Sequence, residues 1–247
     1  MIIGLGTILN VFTILAGTAA GILIGNRLSE KTARVVTDGL GLVVLVLGGL
    51  NVMSLLDPEL TSSVGPGIPL LIVIGAILIG GITGSALQIE ARLEKFGTFL
   101  QKRFAGKGSK GDKEKFITGF VNASLVFTIG PLAILGALSD GLGQGIEQLA
   151  TKSILDGFAS LAFAASLGWG VALSAIPVGL WQGLLTVIAF AVGSVMSAPV
   201  ISALTATGGV LLLGVGLRLL QIRQVAVGNM LPALIVAPLI TLFVMSL

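Results

Sequence analysis

Residues 3–25 read IGLGTILNVFTILAGTAAGILIG, an apolar stretch without a charged side chain. About 20 such residues are enough for one helix to cross the hydrocarbon core of a bilayer. No basic segment precedes the stretch, as it would in a cleavable signal peptide, so we predict a first transmembrane helix here. The apolar residues run continuously instead of alternating as they do in barrel strands, which indicates an all-α protein.

The composition of the whole chain indicates the same class. The 247 residues are 55% apolar and 10% charged, with a mean hydropathy of +1.08, whereas a soluble domain carries about 25% charged residues. This excludes a soluble enzyme, a nucleic-acid-binding protein and a disordered scaffold. The chain has neither Cys nor His, the usual ligands of transition metals and haem. We therefore expect no enzyme activity, no cofactor, no metal site and no nucleic-acid partner, and a lipid bilayer as the surroundings.

Charged residues and Pro/Gly clusters divide the chain into about eight transmembrane helices. We place them at residues 3–25, 36–56, 67–88, 116–138, 152–171, 175–196, 202–221 and 228–247, within a single transmembrane domain covering residues 1–247. All Lys and Arg residues except Lys152 then lie on one side, most of them in a basic loop at residues 89–115. Because basic loops face the cytoplasm, we predict that both termini lie outside.

Two parts of the chain share a short pattern. Residues 13–16 (TILA) match residues 186–189 (TVIA), and residues 41–50 share Gly, Val and Leu positions with residues 208–217. With eight helices the two copies cross in opposite directions, so helices 1–3 and 6–8 form a candidate inverted repeat, as in many secondary transporters. Chance similarity between glycine-rich helices is the alternative interpretation.

Gly17, Gly21 and Gly25 recur every four residues in the first predicted helix. Small residues at this interval make a flat face on which another helix can pack closely. The pattern does not distinguish a neighbour in the same chain from a second subunit, so a homo-oligomer held by glycine-rich faces is one interpretation.

The fourth predicted helix is interrupted at Gly130 and Pro131. Proline lacks the backbone donor and displaces the carbonyl four residues earlier, so the helix is expected to break there. Asn122, Ser124 and Thr128 add side-chain oxygens within two turns of the break. A discontinuous helix with polar side chains is how many transporters build a substrate or ion site at mid-membrane; a proline kink capped by hydroxyl groups is the alternative.

A second polar cluster lies at the start of the fifth predicted helix. Lys152 and Asp156 are four residues apart, on one helical face and within reach of an ion pair. Asp156 is a candidate proton carrier or cation ligand, with Asp140 as a further acid on the same side; an interfacial ion pair is the alternative. Asn10 and Gln182 occupy similar depths in the two copies of the repeat and could meet on its twofold axis.

The same segments carry a family resemblance. Residues 130–136 (GPLAILG), 140–142 (DGL) and 152–157 (KSILDG), with residues 6–10 (GTILN) and 207–217 (TGGVLLLGVGL), resemble the domain-of-unknown-function 554 family, the YqgA/YdfK-like bacterial inner-membrane proteins. The resemblance covers nearly the whole chain. It implies a polytopic protein of the prokaryotic plasma membrane and no particular activity.

Three functions compete for this sequence. The first is an ion-coupled secondary transporter of a small solute or ion, coupled to Na⁺ or H⁺, with its site near the broken helix and Asp156. The second is an oligomeric ion channel, which unitary currents in a planar bilayer would distinguish from a carrier. The third is a non-transporting scaffold or sensor that acts through the basic cytoplasmic loop.

Overall fold

The computed structural model describes residues 2–25, 29–105, 110–129, 131–192 and 196–247. Helices account for 87% of the structure, and the described residues contain no strand. The predicted all-α class is therefore confirmed.

Eleven α-helices follow one another along the described residues. They are α1 (Leu5–Gly25), α2 (Glu30–Val52), α3 (Pro58–Val64), α4 (Ile68–Ala86), α5 (Ile89–Leu100), α6 (Lys110–Thr128), α7 (Pro131–Gly141), α8 (Glu147–Leu167), α9 (Ala175–Val192), α10 (Ala198–Leu219) and α11 (Ala233–Met245). Short 3₁₀ helices cover Met53–Leu56, Trp169–Ser174 and Val227–Met230, and a π-helical turn covers Gln101–Ala105.

Six of the described helical segments are long and apolar enough to cross a membrane. These segments are Leu5–Gly25, Arg34–Leu56, Ile68–Ala86, Trp169–Ala191, Ala198–Leu219 and Val227–Met245. Helices α6 and α7 meet at an angle of 61° and give a seventh crossing if they form one broken span. Helix α6 ends at Thr128 and α7 begins at Pro131, so a helix break lies where the sequence predicts it, although Gly130 itself lies outside the described residues. That the two helices form one fourth span stays a prediction. The count of eight stays a prediction.

Helix α8 begins earlier than the sequence predicts. Its first residue is Glu147, whereas the expected start was near Lys152. A glutamate is favourable in the first turn of a helix because it faces the positive end of the helix dipole. Asp156 consequently lies about two and a half turns inside α8, deeper than its place in the predicted fifth span.

The helices group into two compact units. The first unit comprises Met1–Leu40 and Leu93–Val195, and the second comprises Gly41–Arg92 and Met196–Leu247. Each unit therefore combines segments from both halves of the chain.

In the first unit, α1 and α8 pack side by side in the same direction. Three backbone positions of α8 face the glycines of α1: Gly17 contacts Gly157, Gly21 contacts Leu161 and Gly25 contacts Ala165. A Cβ at any of the three glycines would collide with a backbone carbonyl of α8. The glycine face predicted from the sequence is thus used within the chain.

In the second unit, two pairs of helices pack in opposite directions. Gly48 of α2 and Gly209 of α10 contact each other's backbone, so that neither position has room for a Cβ. In the same way, Gly80 of α4 faces Ala233 at the start of α11, and Gly84 faces Asn229 just before α11. Close contact of backbones replaces side-chain interlocking in both pairs.

Candidate functional site

A buried ion pair lies in the first unit. The Lys152 ammonium contacts a carboxylate oxygen of Asp156, one turn further along α8. The side chains are only 6% and 10% exposed. Ionisable groups at such depth are costly and usually mark a cavity, a proton path or an ion site in membrane proteins.

Two amide side chains extend this pair to neighbouring helices. Asn10 Nδ2 of α1 donates to Gln182 Oε1 of α9 over 3.2 Å, and both side chains are fully buried. The Asn10 amide also interacts with the Asp156 carboxylate. The structure therefore joins four residues that the sequence singled out into one polar chain, Gln182–Asn10–Asp156–Lys152, which we call the central network.

The other side of Lys152 faces an aromatic ring. Its Nζ lies 5.9 Å from the centroid of the Phe127 ring on α6. Phe127 in turn packs edge-on against Phe163 of α8, with ring centroids 6.0 Å apart. A ring at this distance attracts an ammonium weakly compared with a carboxylate, so Asp156 is the stronger partner of the Lys152 charge.

The polar residues near the helix break have a different arrangement. Ser124 Oγ donates to the Phe120 carbonyl over 2.6 Å, and Thr128 Oγ1 donates to the Ser124 carbonyl over 2.6 Å. Both hydroxyl groups therefore donate to backbone carbonyls of their own helix, α6. Asn122 is buried, and its Oδ1 has no hydrogen-bond partner in the described part of the chain. No described hydrogen bond connects these three side chains to Asp156.

Two further predicted residues lie at helix ends. Asp140 is 1% exposed and its carboxylate accepts hydrogen bonds from the backbone N–H groups of Gly4 and Gly6, each over 3.0 Å. Asp140 thus caps the N-terminus of α1 from α7, where a negative charge is favourable. Pro131 is the first residue of α7, and the prediction for Gly130 falls outside the described residues.

A set of buried polar atoms without a partner lies in the first unit, and two of these atoms belong to the central network. Among the described residues, eight such side-chain atoms occur, and all belong to the first unit: Thr7 Oγ1, Asn10 Oδ1, Thr18 Oγ1, Asn122 Oδ1, Ser160 Oγ, Trp181 Nε1, Gln182 Nε2 and Thr186 Oγ1. Most buried polar atoms in proteins are hydrogen-bonded, so a unit with such a set is expected to contain a place that binds an ion, a solute or water.

Sequence reasoning missed several members of this set. Ser160 lies one turn after Asp156, and Thr186 lies one turn after Gln182. Residues four apart share a helical face, so this spacing was a usable signal. Among the described residues, no group of three or more Asp or Glu side chains could hold a metal ion.

The second unit contains a polar joint of another kind. The Glu90 carboxylate binds Arg218 and accepts a hydrogen bond from the Gly228 N–H over 2.8 Å. The Glu90 N–H donates to Asn229 Oδ1 over 2.9 Å. The ion pair and the two hydrogen bonds therefore connect the start of α5 to the end of α10 and to the segment before α11.

A cavity of about 460 Å³ opens at the end of the first unit where α1 and α8 finish. Its lining includes Gly25, Lys113, Phe116 and Trp169, and none of the residues of the central network. The buried network is therefore a separate feature of the same unit.

Comparison with known proteins places the chain in a family. The family model described as "Protein of unknown function (DUF554)" matches residues 5–242. The chain belongs to the DUF554 family. This confirms the resemblance drawn from the sequence.

Two relatives of this DUF554 protein align with it almost end to end. One is the "Uncharacterized membrane protein YdfK" of Bacillus subtilis (strain 168), 29% identical over 235 residues, which are 95% of this chain and 94% of the relative. The other is the "Uncharacterized protein YqgA" of Escherichia coli (strain K12), 30% identical over 233 residues, 94% of each chain. No solved structure matches the chain. A relative named as a membrane protein and six apolar helices together identify this DUF554 protein as a multi-pass membrane protein.

Proposed function

We propose that this DUF554 protein is an ion-coupled secondary transporter of a small solute or ion, and that the central network is its binding site. The observation that carries the proposal is the Lys152–Asp156 pair, which is buried on a helix packed along a membrane-spanning neighbour. The sequence has no glycine-rich nucleotide-binding loop. An ion gradient is therefore the source of energy that we propose.

The packing of α8 against α1 supports a site at membrane depth. Helix α1 is a candidate membrane span, and α8 runs beside it from Leu149, next to Gly6, to Ala165, next to Gly25. With 21 residues, α8 is about 31 Å long, enough for a crossing of its own. Asp156 precedes the contact between Gly157 and Gly17, near the middle of this shared length.

This packing also favours the predicted topology. Parallel α1 and α8 require an even number of crossings between the start of α1 and the start of α8, as in the eight-span arrangement. Counting α8 as a span, together with the broken α6–α7 span, gives eight crossings. Both termini would then lie outside, with the basic loops in the cytoplasm of the prokaryotic cell.

The contacts of three helix pairs support the proposed inverted repeat. The repeat relates α1 to α9, α2 to α10 and α4 to α11, and each helix packs antiparallel against its own counterpart. The hydrogen bond from Asn10 to Gln182 lies where the repeat brings near-equivalent positions of α1 and α9 together. Residues 69–73 (PLLIV) and 232–236 (PALIV) add a third similar stretch, at the starts of α4 and α11.

Reconstituted protein tests the transport function. We would load proteoliposomes with a pH-sensitive dye and impose inward gradients of Na⁺, Li⁺ or K⁺, comparing the wild type with Asp156→Asn. Asp57→Asn is the matched control because Asp57 belongs to the second unit and is not part of the central network. We expect the wild type and the control to exchange ions, and Asp156→Asn to be inactive. Equal activity of all three proteins, or no ion movement by folded wild type, contradicts the proposal; unitary currents in a planar bilayer would establish a channel instead.

A further inference from the structure

The buried ion pair has an unusual position for a structural salt bridge. Lys152 and Asp156 belong to the same helix, so their contact does not hold α8 to any other helix. Removing two charges from water is costly, and replacing a buried pair by apolar side chains is often neutral or stabilising. Tertiary stability is therefore a poor explanation of why both charges are present.

Two neighbours of this pair, one on α1 and one a turn further along α8, carry unpaired oxygens. Asn10, which interacts with Asp156, has an unpaired and fully buried Oδ1. Ser160 follows Asp156 by one turn on the same helical face, and its buried Oγ is likewise unpaired. Carboxylate, amide and hydroxyl oxygens are the ligands that hard cations prefer.

We propose that Lys152 is an internal competitor for a monovalent alkali cation that binds Asp156, and that the cation exchanges for one proton of Lys152. This inference rests on the transport function proposed above and names the ion of that same site. In the cation-free state the Lys152 ammonium occupies the Asp156 carboxylate. In the bound state the cation takes its place beside Asp156 and the oxygens of Asn10 and Ser160.

The charges balance in this exchange. The cation brings one positive charge to the carboxylate, the Lys152–carboxylate contact breaks, and the ammonium releases one proton to become a neutral amine. A buried ammonium without its carboxylate would keep the Phe127 ring beside it, which compensates poorly for lost hydration. Release of the proton leaves the site neutral before and after the exchange, so the stoichiometry is one cation for one proton.

Other titratable groups lie away from this exchange. Helix α8 packs against α1, α6, α7 and the segment Trp169–Ser174. Helix α1 and that segment carry no titratable side chain, and α7 carries only Asp140, which is bound to the N-terminus of α1. The charged residues of α6 all lie in its first six positions, residues 110–115, and Glu147 lies exposed at the start of α8.

Two substitutions of Lys152 separate competition from a structural role. Lys152→Arg retains a positive partner for Asp156 but cannot release a proton, because the guanidinium stays charged in proteins. Lys152→Met removes the competitor. If Lys152 competes with the cation, Lys152→Arg should prevent cation binding and Lys152→Met should leave the Asp156 carboxylate free to bind. If the pair is only structural, Lys152→Arg should be as stable as the wild type and Lys152→Met should be less stable.

The experiment measures cation binding and proton release together. Purified full-length protein in weakly buffered detergent solution is titrated with NaCl, LiCl or KCl, with N-methylglucamine chloride as the control for ionic strength. We expect the wild type to release about one proton for each cation bound, and Lys152→Arg to lose binding. Lys152→Met should bind about tenfold or more tightly, because the fraction of free carboxylate limits the apparent affinity of the wild type.

The outcomes distinguish this inference from the transport function. Thermal unfolding of each variant shows whether it is folded; if Lys152→Arg is not, the result for Lys152→Met decides. Binding by Lys152→Arg that equals the wild type, weaker binding by Lys152→Met, or binding without proton release overturns the competition. If Asp156→Asn still abolishes ion exchange in proteoliposomes, the transport function survives that failure. Undiminished exchange by Asp156→Asn contradicts both.

Discussion

The contact between α1 and α8 leads to a quantitative prediction for Gly17→Ala. An alanine methyl at this position would lie 2.9 Å from the Gly157 carbonyl carbon and 3.2 Å from the Gly157 Cα, and still closer to the carbonyl oxygen. Carbon atoms in contact are normally separated by about 3.5–4.0 Å, so the helices would have to move apart locally by roughly 1 Å. Such overpacking costs about 1–3 kcal/mol.

The neighbouring contacts make this strain difficult to relieve. Gly21 and Gly25 also face the backbone of α8, with a Cβ at Gly25 lying 2.6 Å from the Ala165 carbonyl oxygen. A local separation at Gly17 would therefore weaken contacts over neighbouring turns. It would also draw Asn10 away from Asp156, so that cation binding should weaken together with stability.

Gly183→Ala is the matched control for this substitution. Gly183 lies inside α9 of the same unit, and nothing lies within 4 Å of its Cβ position. Both substitutions gain about 0.8–1.0 kcal/mol from the higher helix propensity of alanine. The difference in unfolding free energy between the two variants, about 1–3 kcal/mol, therefore measures the packing cost alone.

Unfolding by SDS is a suitable assay for this difference. The protein is titrated from dodecyl maltoside into SDS, and unfolding is followed by tryptophan fluorescence. Both tryptophans, Trp169 and Trp181, lie in the first unit, so the signal reports on the unit that contains the substitutions. Equal unfolding curves for Gly17→Ala and Gly183→Ala would refute the close approach of α1 and α8.

Three further predictions concern the second unit and the topology. Gly80→Ala should be less stable than Gly81→Ala by roughly 1–3 kcal/mol. A Cβ at Gly80 would lie 2.6 Å from the Ala233 Cα of α11, whereas the nearest atom to a Cβ at Gly81 is 4.0 Å away. Thermal unfolding followed by gel filtration measures the difference. The Ser202 hydroxyl on α10 donates to the Asp57 carboxylate and holds the pKa of that carboxyl below its ordinary value of 3.8. The stability advantage of the wild type over Asp57→Asn should therefore be present above pH 3.8 and disappear as the pH falls through the lowered folded-state pKa; a constant difference in melting temperature across that range contradicts this. Because the chain has no Cys, single Lys31→Cys and Ser63→Cys variants can be labelled selectively. In intact spheroplasts a membrane-impermeant maleimide should label Ser63→Cys and not Lys31→Cys. The reverse pattern would show that the chain has the opposite orientation.

Some features of the site were predictable because they depend on local spacing. The spacing of Lys152 and Asp156 places both on one helical face in any α-helix, and the structure joins them. Proline at position 131 prevents a continuous helix wherever the segment packs, and α6 and α7 meet at an angle. The hydrogen bond between Asn10 and Gln182 was predictable only through the proposed repeat, because residue spacing alone gives no relation between distant helices.

Other features depend on partners that spacing cannot identify. The hydroxyl groups of Ser124 and Thr128 donate to backbone carbonyls of their own helix, although the same residue types also occur in ligand sites. Asp140 caps α1 because the N-terminus of a helix distant in sequence lies beside it. Ser160 and Thr186 share helical faces with Asp156 and Gln182, which their spacing indicates, but the spacing does not show that their oxygens are buried without a partner.

The sequence by itself determined that this is an all-α membrane protein with a helix break at Pro131 and a Lys–Asp pair on one helix. Those properties follow from hydropathy, proline chemistry and helical periodicity, which act within a few turns of chain. Only the tertiary structure decided that the glycines of α1 pack against the backbone of α8. This contact places Asp156 near the middle of the length over which α1 and α8 run side by side. The physical reason is that a glycine face accepts any closely fitting helix, so its partner depends on how the whole chain packs.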